Sequence, residues 1–220
     1  MSGFAHPGRL LAALLAAYGR QEWWPAQSAF EIMVGAVLTQ ATAWRNAEQA
    51  VARLRAASAL TPQAMAALPP DELAELVRPA GFPQRKVATL RTLAALVRHH
   101  GGTEPLLGLP PERLRAQLLS VPGIGPETAD SICLYAAGQP AVVVDTYTVR
   151  ILARLGVTGT DRLSPHKARQ WIRAGLPADP QLYGEFHALL VRHGKEHCRA
   201  RPRCASCPLA GGCAGRQGER

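Results

Sequence analysis

The sequence predicts an all-α protein, and three observations carry that prediction. Apolar residues recur at helical spacing through nearly every segment. Proline and glycine, 18 and 20 of each, fall mostly between those segments, so the connections are short and sharply marked. The only β-like run, Val142-Val143-Val144, has no second strand to pair with and reads as an extended link.

Taken in order, Leu10 to Tyr18 is an apolar run of amphipathic type. It is too short to span a bilayer. It could serve as a signal-peptide core, but no small-residue cleavage site follows it, and a short helix is the reading adopted. Ser28 to Thr39 is a helix with Ser28 as N-cap and Glu31 at the capping-box position. Trp44 to Ala56 is an Arg-studded amphipathic helix. Thr61-Pro62 opens a helix to Leu68, with the threonine as cap and the proline in the first turn. Pro70-Asp71 opens another, to Val77. Gln84 to His99 is longer and is stopped by Gly101-Gly102. Pro110 to Ser120, Glu127 to Ala137, Thr146 to Leu155, Ser164 to Ala174 and Gln181 to His193 complete the set. No internal repeat or low-complexity tract occurs.

At 220 residues and 47% hydrophobic content the chain can build one domain or two small ones with real cores. Its net charge of +9 favours a polyanionic partner, nucleic acid before others, although charge alone also fits simple solubility. The basic residues are nearly all arginine. Only Lys86, Lys167 and Lys195 are lysines.

The most informative stretch is Val121-Pro122-Gly123-Ile124-Gly125-Pro126-Glu127-Thr128-Ala129. It reads as a tight Gly-X-Gly turn between two helices. Such a turn presents backbone N–H groups at a helix start, which suits a phosphate. Asp145 follows Glu127 by 18 residues, beyond Gly138 and Pro140 and behind an apolar run. A carboxylate near a phosphate grip suits chemistry on a sugar, while an N-cap for the helix at Thr146 is the plain structural role. Near the C-terminus, Cys198, Cys204, Cys207 and Cys213 form C-x5-C-x2-C-x5-C within 16 residues. The spacing admits a four-iron, four-sulfur cluster, a structural zinc site or two disulfides. The rest of the chain reads as cytoplasmic, which disfavours the disulfides. Cys133 is expected to be core, and His193 and His197 surface polar residues.

The turn, the Gly/Pro…Asp spacing and the cysteine cluster together resemble the endonuclease III superfamily of helix-hairpin-helix DNA glycosylases, which excise damaged bases. The resemblance runs from about residue 25 onward. It implies a six-helix barrel over 25–137, ending in the hairpin. It also implies a discontinuous iron–sulfur domain from 1–24 plus 138–220, with a DNA-binding cleft between the two. It favours a [4Fe-4S] cluster on the four cysteines, although Arg199 to Arg203 leave five residues in the first gap where relatives commonly have six. Arg199, Arg201 and Arg203 would then meet phosphates, or else form a solvated loop.

The same resemblance assigns roles. Gly123, Gly125 and Thr128 belong to the phosphate-gripping hairpin. Asp145 is the catalytic carboxylate, stabilising an oxocarbenium-like sugar and activating water. Val37-Leu38-Thr39-Gln40-Ala41-Thr42 resembles a plug loop, with Gln40 filling the hole left by a flipped base. Gly81-Phe82-Pro83-Gln84-Arg85-Lys86 resembles a second loop in which Phe82 wedges beside the orphan base. Phe82 as core and Gln40 as a plain helix end are the alternatives. Bifunctional relatives carry a lysine where this chain has Glu127, and no lysine lies between Val87 and His166. A carboxylate cannot form a Schiff base, so a monofunctional glycosylase using water is expected. Glu127 is then a second catalytic carboxylate, polarising water or raising the pKa of Asp145, or a spectator.

Trp23-Trp24-Pro25, Gln40-x-Thr42-x-Trp44-x-Asn46 and Glu127-Thr128-Ala129-Asp130 resemble the 3-methyladenine glycosylase branch. Trp23, Trp24 and Trp44 would form a base pocket for an electron-poor alkylated purine, unless they simply pack helices. The expectation is a base-excision glycosylase for alkylated purines acting as a monomer on damaged double-stranded DNA. Its rivals are an oxidised-pyrimidine glycosylase with weak AP lyase activity and a damaged-DNA-binding protein with little catalysis.

Overall fold

The computed structural model describes residues 3–21, 23–157 and 163–215. Among them every regular element is helical. Helix α1 spans Pro7–Tyr18, α2 Ala29–Leu38, α3 Trp44–Ala56, α4 Pro62–Ala67, α5 Pro70–Val77 and α6 Pro83–His99. Then follow α7 at Thr103–Leu107, α8 at Pro111–Leu119, α9 at Pro126–Ser131, α10 at Thr146–Arg154, α11 at Pro165–Gly175 and α12 at Pro180–Glu196. Val142, Val143 and Val144 are buried and belong to no strand, as the sequence indicates.

The starts of these helices obey local chemistry. Ser28, Thr61, Asp145, Ser164 and Asp179 each accept a backbone N–H of the following first turn through a side-chain oxygen. Each satisfies a donor that the helix itself cannot. Proline occupies the first turn of α1, α4, α5, α6, α8, α9, α11 and α12, where its missing N–H costs nothing. The capping box at Ser28 is only half made. Ser28 Oγ accepts from Glu31 N at 3.2 Å, but the Glu31 carboxylate turns to Arg55 at 2.5 Å. A buried carboxylate gains more from a guanidinium than from one backbone N–H.

Three elements differ from expectation, one of them the helix read from Glu127 to Ala137, which passes from α to π winding at Ile132. The short α7 follows Gly102, whose φ of 139° lets the chain reverse out of α6; five residues are too few for a visible period. Helix α12 runs three residues past His193, because burial of His193 and Gly194 holds the last turn in place.

The chain divides into two compact units. The central unit is Trp24–Gln139 and the terminal unit is Met1–Trp23 with Pro140–Arg220. In the central unit α6 is the axis, packed by α2, α4, α5 and α7 around Leu90, Leu93, Ala94 and Val97. In the terminal unit α12 packs on α1 and α10, burying Leu10, Leu14, Ile151, Phe186 and Leu189. No helix among the described residues is long and apolar enough to cross a membrane.

Candidate active site

The Gly-X-Gly turn lies in the central unit between α8 and α9. Gly123 has φ 92°, a region that L side chains rarely adopt, and a Cβ there would collide with Thr89 Oγ1. Thr89 lies on α6 and donates to Pro122 O at 3.0 Å, so the turn is fastened to that helix. Gly125 is extended at φ −92° and begins α9, whose first-turn N–H groups lie beside the turn. Glu127 is exposed in that first turn. Thr128 is buried, and its hydroxyl accepts from Gln40 Nε2 at 2.8 Å. The same Gln40 nitrogen donates to Gly123 O at 2.9 Å. The structure therefore joins Gln40 directly to the hairpin turn. Among the described residues Phe82 is the largest exposed apolar side chain, 60% accessible, and it holds a left-handed backbone at φ 49°, ψ 50°. A core role for Phe82 is excluded by that exposure.

Beside α2 and α3 lies a cavity of about 250 Å³ lined by Trp24, Pro25, Gly35, Trp44, Glu31 and Glu48, among others. Trp24 meets Trp44 edge-on, with centroids 5.3 Å apart, and Tyr135 at 5.4 Å. Gly35 sits mid-helix, where glycine is unfavourable by roughly 1 kcal/mol against alanine. Its reason is the Trp24 ring, which a Cβ would meet at 3.0 Å. Trp23 belongs to the terminal unit, where Lys195 Nζ stands 5.7 Å over its ring. Of the three expected pocket tryptophans, the structure brings together Trp24 and Trp44.

Asp145 lies in the terminal unit and is 8% exposed. Its Oδ1 accepts from Thr148 N and Thr148 Oγ1, both at 2.7 Å, so one oxygen caps α10. Its Oδ2 faces His187 Nε2 at 3.7 Å. Burial raises the Asp145 carboxyl, but His187 and the two Thr148 donors outweigh it, and the group lies below the ordinary carboxylate value. It is therefore ionised at neutral pH.

Cys198, Cys204, Cys207 and Cys213 line one cavity of about 260 Å³ in the terminal unit, and none is in a disulfide. Among the described residues no three His, Cys, Asp or Glu side chains converge on a single metal ion. A cuboidal cluster binds each thiolate to a different iron, so its ligands stand farther apart than those of a zinc ion. Four thiols around one cavity are the donor set that such a cluster requires. Burial, with the neighbouring Cys213, Cys204 and Cys198, raises the Cys207 thiol. Arg150 and Arg154 of α10 anchor the loop. Arg150 Nε donates to Cys198 O at 2.8 Å, and Arg154 donates to Arg199 O at 2.5 Å and Ala200 O at 3.0 Å. Arg199, Arg201 and Arg203 are exposed.

His193 is not a surface residue, contrary to expectation. It is 2% exposed, bonded through Nδ1 to Tyr18 OH at 2.8 Å, and stacked on His197. Burial and the neighbouring His197 push it down to about 4. The packing of α1 on α12 covers it, which the local sequence does not announce. Cys133 is core as expected, 2% exposed, with burial pushing its thiol up to about 12.

Sequence reasoning missed three contributors. Tyr135 reaches Trp24 from a π-helical turn, Ile132–Ala136, in which Ala137 N bonds Ile132 O; such turns are frequent at functional sites. Arg154 carried a signal, its place one turn after Arg150 on one helix face. Lys86 is buried, and its ammonium donates to the carbonyls of Leu38, Gln40 and Ala80 at 2.9, 3.1 and 2.5 Å.

Comparison with known proteins agrees with this geometry. The profile of the HhH-GPD superfamily base excision DNA repair proteins matches residues 34–176. A provisionally named DNA repair glycosylase of Methanocaldococcus jannaschii is 40% identical over 91% of this chain and 92% of its own length. The endonuclease III of Thermotoga maritima is 30% identical over 84% of this chain and 82% of that one. Among solved structures, a non-covalent endonuclease III–DNA complex superposes with a TM-score of 0.81 at 25% identity, over 96% and 95% of the two chains. A 3-methyladenine DNA glycosylase of H. pylori bound to 1,N6-ethenoadenine superposes with a TM-score of 0.75 at 26% identity, over 87% and 98%.

Proposed function

The chain belongs to the HhH-GPD superfamily of base excision DNA repair glycosylases, and on that premise we propose that it is a monofunctional enzyme that hydrolyses the glycosidic bond of alkylated purines. The observation that carries the monofunctional reading is Glu127, exposed in the first turn of α9 where a lyase would offer an amine. Lys86 does not replace it, since its ammonium is buried among three carbonyls.

In this reading the hairpin turn grips a backbone phosphate and the damaged nucleotide leaves the stack. Gln40 fills the vacated space and Phe82 wedges beside the orphan base. Trp24, Trp44 and Tyr135 supply aromatic faces, and Glu48 adds negative charge along the cavity, where the Glu31 carboxylate is already paired with Arg55. That combination suits a purine made cationic by alkylation. The C1′–N bond breaks with its electron pair going to the base, which leaves neutral when it began cationic. Ionised Asp145 stabilises the oxocarbenium-like sugar. Water then adds to C1′ and loses its proton. Glu127 polarises that water or stays a spectator.

Cys198, Cys204, Cys207 and Cys213 would hold a [4Fe-4S] cluster, whose contribution is to fix the loop that presents Arg199, Arg201 and Arg203 to phosphates.

Base release should be measured on duplexes carrying an alkylated purine, an oxidised pyrimidine or no lesion, with borohydride in parallel reactions. Release of the alkylated purine without a trapped protein–DNA adduct is the expected result. Efficient trapping would return the enzyme to the bifunctional, oxidised-pyrimidine class. Tight lesion binding with no release would make it a damage-binding protein.

A further inference from the structure

Helix α6 begins where two DNA-facing segments end. The plug loop follows α2, and the wedge loop, with Phe82 as the N-cap residue, enters α6 itself. The loops are about 40 residues apart in sequence. One side chain touches both. Lys86 Nζ donates to Leu38 O and Gln40 O on the plug side and to Ala80 O on the wedge side. Three donors meet three acceptors, the full capacity of an ammonium.

Two of the three carbonyls so held lie directly before a left-handed residue, and the third, that of Leu38, ends α2. Gln40 is followed by Ala41 at φ 51°, and Ala80 by Gly81 at φ 75° and Phe82 at φ 49°. Both loops thus adopt the left-handed region directly after a carbonyl that Lys86 binds. For Ala41 and Phe82 this conformation is strained, and it persists only where surrounding contacts impose it. Lys86 is 4% exposed, so water competes poorly for these carbonyls. Burial pushes the ammonium down to about 8.

A buried cation in a helical domain needs a reason, since a methionine of similar length would fill the space without desolvating a charge. Simple packing does not require three convergent carbonyls from two loops. We propose that Lys86 is a positioning residue that locks the Gln40 loop and the Phe82 loop into one rigid unit, so that plug and wedge enter the duplex together. This rests on the reading of Gln40 as plug and Phe82 as wedge. One helical turn further on, Thr89 fastens the hairpin turn to the same helix, so the phosphate grip shares the frame.

The role predicts a split in behaviour. The lock does not touch DNA, so affinity for undamaged duplex is kept. Base flipping is lost, because a plug and wedge displaced by about 1 Å can slow the reaction by up to roughly 100-fold. The test uses the full chain with Lys86→Met, Lys86→Gln, Gln40→Ala and Phe82→Ala, each checked by thermal melting. Flipping is read from 2-aminopurine fluorescence beside the lesion, and chemistry from single-turnover base release. Lys86→Met is expected to bind undamaged DNA within about twofold of the parent, and to lose flipping and release by roughly 10- to 100-fold. Lys86→Gln, which keeps two donors, is expected to fall between. Adding Gln40→Ala to Lys86→Met should slow release little further, since the two act on one step.

If Gln40→Ala and Phe82→Ala impair flipping while either folded Lys86 variant flips normally, the lock is refuted and the plug-and-wedge reading survives. If Gln40→Ala and Phe82→Ala themselves flip normally, the plug-and-wedge reading falls and the lock falls with it. Independent, multiplicative losses in the double variant also refute the lock.

Discussion

Replacing Asp145 by asparagine separates its observed role as a helix cap from the catalytic role proposed for it, because the two draw on different features of the side chain. Oδ1 caps α10 through Thr148 N and Thr148 Oγ1, while the charge is what stabilises a developing cation. Asparagine keeps an Oδ1 acceptor and ranks beside aspartate as an N-cap, so the cap should survive within about 0.5 kcal/mol. Alanine removes it, which typically costs about 1 kcal/mol. For a chain of this size that difference is a melting-point shift of roughly 2–4 °C. On the chemical side, losing a preorganised electrostatic group typically slows turnover by about 100- to 1,000-fold, or roughly 3–4 kcal/mol of barrier. Asp145→Asn should therefore keep the cap, lose only what the carboxylate charge adds to stability, and release base at least about 100-fold more slowly, whereas Asp145→Ala should be slow and lose the cap as well.

Single-turnover release on a lesion duplex and thermal melting give both numbers. A release rate within about tenfold of the parent for folded Asp145→Asn would refute the catalytic assignment and leave only the cap. The pH dependence supplies a control. The folded carboxyl is held below its ordinary value, so its stabilisation is full above the unfolded pKa and is lost as pH falls through the folded pKa. Asp145→Asn should accordingly remove part of the acid sensitivity of the fold, measured by melting between pH values on either side of the ordinary carboxylate range.

Gly123→Ala should destabilise the chain by more than about 1 kcal/mol, because φ 92° and Thr89 Oγ1 both oppose a Cβ, and should weaken binding to any duplex; unchanged melting would show that the turn is not held as described. Trp44→Ala should reduce discrimination in favour of an alkylated purine by about tenfold while leaving undamaged-DNA affinity intact, and equal losses on all substrates would make the ring a packing residue only. Cys207→Ser should lose bound iron and the visible absorbance that accompanies it, while Cys133→Ala should keep both, as determined by metal analysis of purified protein; zinc in place of iron in the parent would overturn the cluster.

The sequence by itself determined the all-α class, the starts of most helices and the superfamily. Those follow from rules acting over a few residues: Ser28, Thr61 and Asp145 find their N–H partners three positions on, and Gly123-Ile124-Gly125 can make only a narrow choice of turn. Tertiary structure alone decided which side chains share a cavity and which are removed from water. Glu31 left its capping box for Arg55, His193 went under α1, Tyr135 reached Trp24 from a π-helical turn, and Lys86 gathered three carbonyls from two loops. Each of these depends on contacts across many residues, where desolvation and the geometry of a packed interior set the outcome and no local period records it.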